Sequence, residues 1–182
     1  MSAAPSLSAA VTGPVHRHLF LDLEDTVIEP VNRGWHRTEL VNTERVRAFI
    51  EEGKPTAVHL FSFALHNVHE LSGFNQGTRP MLEAALGVKL RMTPTVDEDI
   101  LPACCQLQGL SVQLTTFEEM VEFWGKQTAF KMFMRQRMLK LFPRDNFDQP
   151  LHAALLDDAV FDEEVSWPNE NVHLSIKNVL ML

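Results

Sequence analysis

The sequence predicts an α/β fold in which a parallel sheet lies between two layers of helices. Three observations carry that reading. Short apolar runs recur along the chain, and several stop abruptly at acidic or hydroxyl residues. Stretches of helical period separate them. Hydrophobic residues make up 45% and charged residues 22% of 182 positions, the balance of one globular domain. Residues 1–15 are mostly small and read as a flexible tail, leaving 16–182 as a single α/β domain.

The elements follow in order. HRHLFLDL reads as a first strand. TERVRAFIEE, 43–52, is a helix with Val46, Phe49 and Ile50 on one face, Asn42 or Thr43 at its cap and Gly53 at its end. TAVHLFSF, 56–63, is a second strand, and HNVHELSGF and TRPMLEAALG are short helices. VKLRMTP has the composition of a third strand, whereas VDEDILPACCQLQGLS shows no clear period. Thr115 or Thr116 opens a helix, each with a glutamate three residues on in capping-box spacing. Gly125 breaks it, and a second helix runs from about Lys126 to Phe142, with Phe130, Phe133, Met134, Met138 and Leu139 as its core side. Pro143 and RDNFDQ form a loop. HAALLDD, 152–158, and NVHLSIKNV, 171–179, are the last strands. Strands alternating with helices in this order imply a three-layer, Rossmann-like parallel sheet, whose ligands bind beyond the carboxyl ends of the strands.

Charge and composition narrow the partners. A net charge of −8 argues against broad nucleic-acid binding, which needs a basic footprint. A small phosphorylated ligand remains compatible, because Lys126, Lys131, Arg135, Arg137 and Lys140 concentrate positive charge in one stretch. No apolar run approaches the roughly 20 residues that span a bilayer, and the N-terminus lacks a secretory pattern, so no membrane association is expected. The adjacent Cys104 and Cys105 are poorly placed to pair with each other and suit a reduced, cytoplasmic setting.

The acids raise a physical question. HLFLDLEDT drives an apolar strand into Asp22, Glu24 and Asp25, and ALLDDAVFD drives another into Asp157, Asp158 and, four residues on, Asp162. Clustered like charges cost free energy unless water or a cation offsets them. Surface loops would supply water. A parallel sheet would instead bring Asp22, Asp157 and Asp158 to one edge, where hard oxygen ligands suit Mg²⁺. Ser62 ends the second strand at the same edge, as a phosphate ligand or as a helix-capping hydroxyl. His66 and His69, three apart, read as surface or rim residues, and His59 as buried in the sheet.

These motifs resemble those of the haloacid dehalogenase-like (HAD) superfamily, in order and over residues 18–162. Asp22-Leu23-Glu24-Asp25-Thr26 resembles its first motif, Ser62 its second, Lys126 its third and Asp157-Asp158 its fourth. The resemblance implies a phosphatase fold with a small flap and no large cap. It implies that Asp22 is a nucleophile forming an aspartyl-phosphate and a Mg²⁺ ligand. Glu24 then stands at the general acid–base position, its backbone carbonyl facing the metal, and Ser62 binds phosphoryl oxygens. Lys126, or Lys131 in its place, offsets charge, and Asp157 or Asp158 completes the metal shell, with Asp162 as a further candidate. Such charge offset is required, since a carboxylate and a phosphate repel by roughly 4 kcal/mol per unit charge pair at about 4 Å and an effective dielectric of about 20. Arg33 and Trp35 fall where the flap would contact substrate.

One residue departs from the pattern. Glu24 replaces the usual aspartate, and its extra methylene moves the carboxyl by about one bond length when proton transfer needs a reach of about 2.6–3.2 Å. Two expectations follow: a Mg²⁺-dependent phosphatase acting on a small phosphorylated metabolite such as a nucleotide, or on a phosphoprotein; and, as the alternative, a catalytically weak HAD-like protein that binds a phosphorylated ligand or a protein partner. An open site leaves room for a partner protein or a second copy to close it.

Overall fold

Alternation along one strand sets the layers. In β1 (His16–Leu21), Leu19 and Leu21 point into one apolar cluster and Phe20 into another. Successive strand side chains take opposite faces, so a strand apolar at every position must be covered on both sides. The computed structural model of the chain describes residues 16–31, 34–91, 93–138 and 150–182.

Five strands form one sheet in the order β2-β1-β3-β5-β4. β2 (Ala57–Leu60), β3 (Leu151–Asp157) and β5 (Val172–Asn178) run parallel to β1 or to one another, with Leu21 level with both Leu60 and Leu156. The sequence predicts a parallel sheet, but the observed sheet is mixed. β4 (Glu163–Trp167), absent from the sequence-based reading, pairs antiparallel with β5 at the edge. Its charged EEVSW composition lacks the apolar run that marks the central strands.

On one face lie α1 (Thr43–Gly53), α2 (Val68–Gln76) and α3 (Thr78–Leu86), which supply Val46, Ile50, Phe74, Leu82 and Leu86 to the cluster around Leu19, Leu21, Val58 and Leu60. On the other lie α4 (Leu101–Gln108) and α5 (Phe117–Phe133), which contribute Cys104, Cys105, Met120, Phe130 and Phe133 around Phe20, Phe61, Leu155 and Ile176. Both cysteines are free and buried. No described helix is long and apolar enough to cross a membrane.

Several boundaries differ from expectation. VKLRMTP forms no strand; Leu90 makes a single parallel bridge to Val58, and Met92 lies outside the described residues. Asn42 does not cap α1 with its side chain. Its Nδ2 donates instead to the carbonyls of Asp25 and Thr26, at 3.1 and 3.3 Å. Lys54, not Gly53, takes the left-handed turn after α1. The unclassified segment is a π-turn over Val96–Ile100 running into α4. Thr116 caps α5 in a full capping box with Glu119. A π-turn over Met134–Met138 follows α5, while Leu139 to Phe142 and the loop after them lie outside the described residues, as do the N-terminal tail, Arg33 and Lys140.

Between β1 and α1 the chain makes a small excursion closed by bridges of Ile28 to Glu24 and Leu40. Trp35 anchors it. A Cβ on Gly73 would lie 2.5 Å from the indole, and one on Gly77 2.9 Å from the Trp35 carbonyl group, so glycine at both positions lets this excursion seat on the α2–α3 pair. Thr78 Oγ1 donates to the Trp35 carbonyl at 2.6 Å, and the indole N–H donates to Glu70 at 3.0 Å.

Phe20 is the keystone of the α4–α5 side: fully buried, it meets the rings of His59, Phe61, Phe130 and Phe133. Phe20→Ala should cost about 3–5 kcal/mol of stability, read from the shift of the urea unfolding midpoint at unchanged slope.

Candidate functional site

β1 has β2 on one side and β3 on the other, so successive connections leave it in opposite directions. In an open parallel sheet this opens a crevice beyond the strand ends. Asp22 follows β1 directly and Asp157 ends β3. With Asp158, they offer carboxylate oxygens that all lie within 4.8 Å of one another, a group that could hold a metal ion.

The loop after β1 is wound so that its acids part. The amides of Thr26, Val27 and Ile28 all converge on the Leu23 carbonyl, and Asp25 takes a left-handed conformation with φ 59°. Asp22 is thereby buried while Asp25 is exposed. Thr26, fully buried, clamps the two acid loops together. Its hydroxyl accepts from the Asp158 amide at 3.0 Å and shares its one proton between Asp22 Oδ2 at 3.4 Å and Asp158 Oδ1 at 3.3 Å. The sequence-based reading quoted Thr26 within the first motif but gave it no role; its place directly after the first acid run was the available signal.

Lys126 enters from the opposite side. Gly125 interrupts α5 with φ 62° and ψ 163°, a conformation essentially restricted to glycine, and a new helical segment starts at Lys126. The Lys126 ammonium meets Asp22 Oδ1 at 2.6 Å and Asp157 Oδ2 at 2.9 Å, and lies 5.0 Å from the centre of the Phe63 ring. Lys131, the rival candidate, is committed elsewhere: it pairs with Glu163 at 3.0 Å.

The remaining predicted residues divide. Ser62 is buried just past β2, and its Oγ accepts from the Ala64 amide at 3.3 Å within a turn; it caps no helix, since α2 is capped by Asn67. Glu24 is half-buried, and its Oε1 accepts from the Val31 amide at 2.8 Å. Asp162 is exposed and is not among the grouped acids. It accepts from the Asn178 amide at 2.9 Å and lies 3.6 Å from Lys177. Asn178, which sequence reasoning passed over, pins the acidic loop by donating to the carbonyls of Asp158 and Val160. His59 is buried and hydrogen-bonds His18 at 2.9 Å; His69 is exposed, and His66 stacks obliquely near Phe117.

The electrostatics favour a further cation. Three carboxylates face one ammonium. Asp22 Oδ1 and Asp157 Oδ2, both buried, have no hydrogen bond beyond their ion pairs with Lys126. Burial, and then Asp157, push the Asp22 carboxyl up from its ordinary 3.8 to about 6 against the pull of Lys126. Burial and Asp157 likewise hold Asp158 above the usual carboxylate range. Burial disfavours the Lys126 charge, but Asp22 and Asp157 outweigh it and keep the ammonium above the ordinary lysine value. An all-oxygen donor set with surplus negative charge suits a hard divalent cation.

Asp22 binds its proton more tightly folded than unfolded. Its protonated form therefore stabilises the fold, fully below about pH 4, and that contribution is lost as pH rises through about 6. In chelator, the thermal midpoint of the wild type relative to Asp22→Asn should fall across this window; a constant difference between the two from pH 4 to 7 would contradict the assigned environment.

No protein-family model matches the chain, and no curated protein or solved structure matches it either.

Proposed function

We propose that the chain is a Mg²⁺-dependent phosphoester hydrolase of HAD-like type, with Asp22 as its nucleophile. The observation that carries the reading is the convergence of Asp22, Asp157 and Asp158 with Lys126 at the crevice beyond β1 and β3. The two parallel neighbours of β1 and the small excursion after it accord with a Rossmann-like core carrying a short flap.

The residues divide the work. An Asp22 oxygen attacks phosphorus; the new P–O bond forms as the bond to the leaving oxygen breaks, giving an aspartyl-phosphate. Glu24 in its acid form gives that oxygen its proton. As a carboxylate it then takes a proton from water, whose oxygen attacks phosphorus and frees inorganic phosphate and Asp22. Lys126 faces the charge that builds on the transferring group, and Ser62 turns its O–H toward phosphoryl oxygens. Asp22, Asp157 and Asp158, with the Glu24 carbonyl, would hold Mg²⁺, whose positive charge would let an anion approach an anion. Small phosphorylated metabolites, nucleotides among them, and phosphoproteins are the substrate classes that the charge balance allows.

A second reading has one observation behind it. The Glu24 carboxyl is tied to the Val31 amide, a restraint on the acid–base group that favours a slow or purely binding protein.

Hydrolysis of p-nitrophenyl phosphate with Mg²⁺ separates the two. Asp22→Asn should lower the rate at least about a thousandfold while the fold persists. Activity that survives this change would sink the nucleophile; an inactive wild type with an active Glu24→Asp would favour the binding protein. Independently, Mg²⁺ should raise the thermal midpoint more at pH 7.5 than at pH 5, because metal and proton compete for Asp22.

A further inference from the structure

Beside the acid cluster lies a cleft of about 420 Å³ that phosphoryl chemistry does not fill. Its walls include the aromatic side chains of Trp35, Phe63 and Phe117, with Glu24, Glu70 and His66 among them. Phe63 is shared with the phosphoryl side, where Lys126 lies over its ring. Phe63 thus borders both spaces, and the cleft is bounded by Glu24, the residue assigned to the leaving oxygen.

Among the described residues its charge is one-sided; Arg33, between Val31 and Trp35, lies outside them. Glu24 and Glu70 each spend one carboxylate oxygen on a neutral donor, the Val31 amide and the Trp35 indole. Among the described residues neither forms an ion pair, and no lysine or arginine lines the cleft. The walls are held in place: Trp35 is seated on Gly73 and tied through Thr78, and Asn67 caps the helix that carries Glu70 by accepting from the amides of His69 and Glu70. Aromatic faces beside unpaired carboxylates attract organic cations and repel anions.

We infer that this cleft receives the leaving group of the substrate and that the leaving group carries an organic ammonium, so that the preferred substrate is the phosphate ester of an amino alcohol. The inference deepens the hydrolase reading, since it takes Glu24 to face the leaving oxygen. The ester is then bound at both ends by opposite fields. Its phosphate meets Lys126 and the cation-binding acids; its ammonium meets Glu70 and the rings, while Glu24 faces the leaving oxygen. A second phosphate or carboxylate on the leaving group would face the Glu70 carboxylate and be disfavoured.

The test compares choline with 3,3-dimethylbutan-1-ol, which has the same shape without the charge. At pH 8, where histidine is ordinarily neutral, choline should quench or shift tryptophan fluorescence and bind at least about tenfold more tightly than the neutral alcohol. Glu70→Gln, which keeps an acceptor for the indole, should remove that difference. Equal binding of the two alcohols to the wild-type chain, or binding of neither, overturns the inference whether or not the variant folds. Turnover keeps the two proposals apart. If the wild type hydrolyses phosphocholine and 3,3-dimethylbutyl phosphate with equal kcat/KM through Asp22, the cation preference is wrong and the hydrolase stands. If choline binds selectively and neither ester is cleaved, the cation site stands and the hydrolase falls.

Discussion

One ammonium held between two buried carboxylates is the contact on which the rest of this structure turns. Lys126 reaches from α5 to the ends of both β1 and β3, so one ion-paired triad joins a helical layer to two strands of the sheet. A lysine charge is tolerated there because its field is answered twice, and each carboxylate because the ammonium is close. Yet the balance is unequal. Asp158 adds a third carboxylate within reach, so the group remains one that attracts cations even after its internal pairing is complete.

The scaffold makes such a group affordable. Both faces of the sheet are dry where β1 ends: Phe20 and its ring partners lie on one side, Leu19 and Leu21 with the α1–α3 side chains on the other. Parallel register then delivers the strand ends level with one another, and short polar ties finish the placement. Thr26 spans the two acid loops, Asn42 holds the turn that contains it, and Asn178 fixes the loop after Asp158. None of these three contributes a carboxylate, yet each constrains where the carboxylates stand.

How much of this was legible in the sequence differs by level. Asp22, Asp157 and Asp158 could be read because each terminates an apolar run, a pattern that survives any uncertainty in helix boundaries. Lys126 was preferred over Lys131 for its position after Gly125, and the structure brings it to the acids while Lys131 turns to Glu163. β4 was not legible, because an edge strand buries little and carries no apolar signature. The false strand at VKLRMTP has the opposite cause: its composition suits pairing, but only Leu90 finds a partner. Trp35 on Gly73 was beyond reach, since a contact between distant segments leaves no mark in local periodicity.

That edge strand also shapes how the molecule meets its own kind. β4 turns Glu164 outward, where His173, Ser175 and Lys177 of the neighbouring strand gather around its carboxylate. Glu163 beside it is held by Gln127 and Lys131. A strand from a second molecule adding to this border would meet glutamates already engaged within the chain, and charged residues on an edge strand disfavour such lateral pairing.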